Sequence, residues 1–136
     1  MSIQKDYERS MRRLKESVYR KEQLGYVVPR CVADVLAKVR SPQQVVSRKY
    51  LVMLMLFSQT CEALGSTLAM REQLVVKMTN LSRKHPTPDI SRKIRRLDEL
   101  VISQDRNIES QRLLLDYRGG VLLDILDGKE PNSRYT

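Results

Sequence analysis

Two long apolar stripes are mirrored across the segment His85-Pro86-Thr87-Pro88-Asp89. Downstream of it, apolar residues stand at Ile90, Ile94, Leu97, Val101, Ile108 and Leu115 in alternating steps of four and three, with Gln104 and Gln111 filling the vacant positions. That heptad spacing keeps one seam of a helix turned toward a partner. Upstream, the stripe runs Phe57, Cys61, Leu64, Leu68, Val75, Met78 and Leu81, with Arg71 on the same face. Neither arm contains an internal proline, and Pro86 and Pro88 cannot continue a helix from the arm before them. The pattern predicts a long antiparallel helical hairpin.

With a tight turn centred near Pro86, facing residues have numbers summing to about 172. This register pairs Leu81 with Ile90, Met78 with Ile94, Val75 with Leu97, Leu64 with Ile108 and Phe57 with Leu115. Arg71 then faces Val101, Leu68 faces Gln104 and Cys61 faces Gln111. Polar residues on a seam cost stability and can specify register or partner number. Arg71, Gln104 and Gln111 are therefore the candidate partner-binding residues, where a third helix or an outside chain would cover the seam.

The remaining pattern surrounds this hairpin with shorter helices. Ile3, Tyr7, Met11, Leu14 and Val18 mark one face of a first helix ending near Gly25. Its other faces carry Arg9, Arg12, Arg13, Lys15, Arg20 and Lys21. A second, short helix follows Pro29, with Val32, Val35, Leu36 and Val39 on one side. Ser41-Pro42-Gln43-Gln44 reads as a capping box opening the third helix. The hairpin arms are thus expected over about 42–83 and 88–117. Arg118-Gly119-Gly120 is expected to end the second arm, before a short final helix stopped by Asp127-Gly128 and a loose tail over 129–136.

Composition agrees with a single domain over 1–128. The chain has 136 residues, no Trp and one Phe, so its core must be Leu, Val, Ile and Met. With 30% charged residues and five glycines, an all-α fold is favoured over a sheet. Tyr26-Val27-Val28 is the nearest candidate strand. The expectation is an elongated all-α bundle around a coiled-coil-like antiparallel hairpin, with two N-terminal helices and a short C-terminal helix at one end.

The formal charge is +9, and the excess lies entirely in residues 1–86. Arg83, Lys84, Arg92, Lys93, Arg95 and Arg96 cluster about the turn, opposed there by Asp89. Together with Arg12 and Arg13 they are candidates for binding an anion or the phosphates of a nucleic acid. Val32 to Leu51 invites comparison with a helix-turn-helix, since Val45-Val46-Ser47-Arg48 resembles a recognition-helix entry. Arg40 stands where that turn usually has Gly, and the following segment is too apolar for a groove, so the comparison is set aside.

Catalytic chemistry finds no foothold in the motifs. The chain has one histidine, His85, and lacks a P-loop, Gly-x-Gly-x-x-Gly, His-Glu-x-x-His and Cys-x-x-Cys. No catalytic residue, cofactor or metal is expected. Cys31 and Cys61, without paired spacing, and a charged first twenty residues place the chain inside the cell, in cytoplasm or nucleus. The wholly apolar run Tyr50 to Phe57 is short for a membrane span and reads as a buried segment. The function expected is a non-enzymatic helical adaptor or structural subunit of an intracellular assembly. Its partners would be proteins bound by helix packing, including a second copy of the chain. The alternative is a nucleic-acid-binding protein using the basic N-terminal face and hairpin tip.

Overall fold

The structure, a computed structural model, describes residues 3–23, 25, 28–44 and 47–128. The candidate strand residues Tyr26 and Val27, the tail over 129–136 and Val45-Val46 lie outside the described residues. Within them the protein is an all-α four-helix bundle without a strand. Its helices are α1 (Ile3–Gln23), α2 (Arg30–Lys38), α3 (Arg48–Ser82) and α4 (Pro88–Leu126). At 1.5 Å per residue, α3 and α4 are roughly 50 and 60 Å long.

The α1 stripe buries Tyr7, Met11 and Leu14 against α3, as its spacing requires. Ser10 and Ser17 are buried beside them, and Ser58 Oγ donates 2.9 Å to the Ser10 carbonyl, joining α3 to α1. The helix is closed by Gly25, whose φ of +78° any Cβ would strain, with its N–H donating to the Glu22 carbonyl. Val32 and Val35 of α2 are fully buried, and α2 lies against α4. Lys38 Nζ meets Asp127 at 3.4 Å, linking the ends of those two helices.

The start of α3 differs from the expectation. Gln44 Oε1 does reach back, accepting from Arg40 N–H at 2.7 Å and Ser41 N–H at 3.0 Å. This cap closes a single 3-10 turn over Pro42–Gln44, and Ser47 is the N-cap of α3, accepting from the Tyr50 N–H. The capping-box chemistry is present where the pattern places it, but it closes the 3-10 turn ahead of α3 and not α3 itself.

The end of α4 differs more. Arg118-Gly119-Gly120 does not terminate it: α4 continues through both glycines to Leu126, so the separate C-terminal helix does not exist. Gly119 marks a close approach between elements, since a Cβ built there would lie 2.9 Å from Phe57 Cε1 and 3.4 Å from Cys31 Cβ. It is glycine because the aromatic ring and α2 crowd the helix backbone, and its φ is ordinary. The true stop is Gly128, with φ +71° and an N–H donating to the Ile125 carbonyl.

Contacts between α3 and α4 run in opposite chain directions. Phe57 meets Gly119, Thr60 Oγ1 accepts from Arg118 Nη1 at 2.6 Å, and Arg71 Nε donates to Asp105 at 2.6 Å. Arg71 thus meets a residue four positions later than the Val101 expected from the 172 register. Cα–Cβ bonds tilt toward a helix's N-terminus, so α3 side chains lean away from the connection and α4 side chains toward it. That tilt displaces contacts in the observed direction. Pro88 opens α4 behind the Thr87 N-cap, which accepts from the Ile90 N–H.

Candidate functional site

The core follows the stripes only part of the way along α3 and α4. Its contiguous cluster includes Phe57, Cys61, Leu64 and Leu68 of α3 with Leu115 and Leu122 of α4, in the part of the bundle that α1 and α2 cover. Beyond it, Leu74 and Val101 are buried, but Val75, Met78, Leu81, Ile90, Ile94 and Leu97 are only half-buried. Met70, Val76, Leu100 and Ile102 add apolar side chains that are about half exposed. Along these distal segments the apolar stripe is left partly open to solvent among the described residues.

The three candidate partner residues lie where core gives way to this distal part. Arg71 is engaged by Asp105, Gln104 is half-buried, and Gln111 has its Oε1 buried without a hydrogen-bond partner among the described residues. Arg71 belongs to a cavity of about 270 Å³, whose wall also includes Lys21, Leu64, Leu68, Asp105, Ile108 and Arg112. Gln104 and Gln111 are not in its lining.

Lys21 overturns its assignment to the solvent face of α1. It is fully buried, and its Nζ donates 3.0 Å to Cys61 Sγ. The signal is present in the spacing: Tyr7, Met11, Leu14 and Val18 advance by four, three and four, and the next step of three is Lys21. Residue type conceals what position indicates.

The basic residues near the connection are all exposed. Asp89 pairs with Arg92 at 3.8 Å and Lys93 at 3.3 Å, while Lys77, Lys84, Lys93 and Arg96 line one surface depression with Asn80, Leu81 and Leu97. Arg12 and Arg13 are not gathered with them. Arg13 pairs with Glu62 at 3.9 Å, and Glu62 is roughly 30 Å along α3 from Arg83 at 1.5 Å per residue. Arg12 lines a different groove that also holds Glu8 and Glu16.

For nucleophilic or metal chemistry the described residues offer little. No group of three His, Cys, Asp or Glu side chains among them is placed to hold a metal ion. The Cys31 thiol is pushed up to about 12 by burial and by its hydrogen bond with Asp116, which keeps it protonated and a poor nucleophile near neutral pH. One helix, α3, is long and apolar enough to cross a membrane by length and composition, and its buried residues line the bundle core. Comparison with family models, curated proteins and solved structures finds no match to this chain.

Proposed function

We infer that the protein is a non-enzymatic helical adaptor or structural subunit of an intracellular assembly, with α3 and α4 forming a coiled-coil-like antiparallel hairpin. Its partner contributes a helix lying along the distal segments. The observation that carries this reading is the half-buried stripe from Val75 to Leu81 and from Ile90 to Leu97, flanked by exposed Val76, Leu100 and Ile102. Two helices alone cover only the inner strip of such a seam, and a further helix supplies the missing burial. Gln104 and Gln111 then stand at the entry to the interface.

The test is capture of partners from the native source by the full chain, compared with Leu100→Glu, Ile102→Glu and Gln104→Ala variants. Loss of the same partner from the two charged variants, with melting temperature unchanged, is the expected result. A compact monomer that retains every partner in all three variants overturns it.

A second reading is favoured by Lys77, Lys84, Lys93 and Arg96 surrounding one depression near the connection. On that reading the tip binds nucleic acid through phosphates. Affinity for a duplex or single strand then falls steeply with salt, and charge reversal at Arg92, Lys93, Arg95 and Arg96 flattens the slope by about 0.7–0.9 for each phosphate no longer neutralised.

A further inference from the structure

We propose that the cavity at the junction of α1, α3 and α4 binds a small amphiphilic carboxylate, its head held by Arg112 in the field of the buried Lys21 and its apolar body on Leu64, Leu68 and Ile108. Lys21 carries the argument. It has no exposure to water, and among the described residues its one hydrogen-bond partner is the Cys61 thiol, a weak acceptor. A buried ammonium has three donors and is strongly disfavoured unless an anion accompanies it. The structure supplies no carboxylate within ion-pair distance of Lys21 among the described residues, yet opens a cavity beside it.

The rest of the wall narrows the ligand. Asp105 is the lone acid there and is already held by Arg71 at 2.6 Å, while Arg112 makes no salt bridge among the described residues. The cavity is therefore left with positive charge on Lys21 and Arg112. Asp105 also opposes a second negative charge, which favours a monoanion over a phosphate dianion. Pro29, Leu64, Leu68 and Ile108 are apolar and suit an organic body rather than a hydrated ion. A volume of about 270 Å³ exceeds the roughly 150 Å³ of an apolar cavity that holds one benzene, so a body of about six to ten carbons fits.

The experiment is calorimetric titration of octanoate, 1-octanol, inorganic phosphate and a Glu-containing hexapeptide into the full chain, and into Lys21→Met and Arg112→Gln. Octanoate is expected to bind one site at least tenfold more tightly than 1-octanol, with phosphate and peptide weaker still. Lys21→Met should weaken octanoate at least tenfold and Arg112→Gln at least threefold, both leaving 1-octanol within twofold. Arg112 is exposed, so its variant keeps the test intact if Lys21→Met fails to fold. Equal affinity for octanoate and 1-octanol, or octanoate binding indifferent to both variants, overturns the assignment. Tighter binding of phosphate or of the peptide overturns it too. The isolated chain suffices, so the outcome does not depend on whether the distal helices have a partner.

Discussion

Around Phe57 and Leu115 the bundle encloses side chains with no exposure, whereas Met78 and Ile94, on the same two helices and in the same stripes, stay half-buried. The spacing is alike in both regions, and the neighbours differ. Near Phe57, α1 lies on α3 and α2 lies on α4, so each long helix is covered on more than one side. Met78 is not part of the core cluster that the described residues of those helices build. An apolar stripe therefore specifies which side of a helix turns inward, and the number of adjoining helices sets how deep that side lies.

Truncation in both regions tests this difference in depth most strongly. Phe57→Ala is expected to cost about 3–5 kcal/mol, because the removed ring leaves a cavity in a closed layer. Met78→Ala, where water already reaches the side chain, is expected to cost about 1 kcal/mol, in proportion to the smaller area it buries. Urea denaturation measures both, and equal losses would show that the two regions are energetically alike.

Alkaline pH probes the closed region alone. Burial pushes Tyr50 up to about 12 from its ordinary 10, with the Tyr7 charge adding to the rise, and its hydroxyl has no hydrogen-bond partner among the described residues. Above pH 10 the unfolded chain gives up the Tyr50 proton while the folded chain keeps it, so its contribution is whole below pH 10 and is lost as pH rises toward 12. The expected loss is on the order of 2–3 kcal/mol at about 1.4 kcal/mol per pKa unit. Tyr50→Phe should flatten the curve over that window in a pH series of denaturation midpoints. A variant curve as steep as the wild type's would assign the alkaline loss elsewhere.

Two glycines within the long helices differ in the same way. Gly119→Ala is expected to destabilise by about 1–3 kcal/mol, since its Cβ meets the Phe57 ring at 2.9 Å and outweighs the better helix propensity of alanine. Gly65→Ala meets nothing within 4 Å among the described residues and should stabilise by up to about 1 kcal/mol. Thermal melts distinguish the two signs directly.

The smallest effect is expected at the boundary between the regions. Arg71 and Asp105 are close at 2.6 Å, but both side chains are substantially exposed. Asp105→Asn should cost less than about 1 kcal/mol, and the difference should shrink in about 1 M salt. A larger, salt-independent loss would move the edge of the closed core outward to include this pair.

Helix type, order and most boundaries were legible because local chemistry decides them. The four-three spacing turns Tyr7, Met11 and Leu14 inward, Thr87 and Pro88 open α4, and Gly25 and Gly128 close α1 and α4. Of the candidate site, the basic residues at the connection were legible as a cluster, since they are close in sequence. Three features were decided only by long-range packing. Gly119 reads as a helix stop until the Phe57 ring is set against it, and Lys21, though the spacing marks its inward position, has its partner and cavity only once Cys61 is placed beside it. The unequal burial of one continuous stripe is the third. A residue's spacing and backbone preference are properties of its own few turns and are written in the chain, whereas what touches it across the bundle depends on helices distant in sequence and exists only once they have packed.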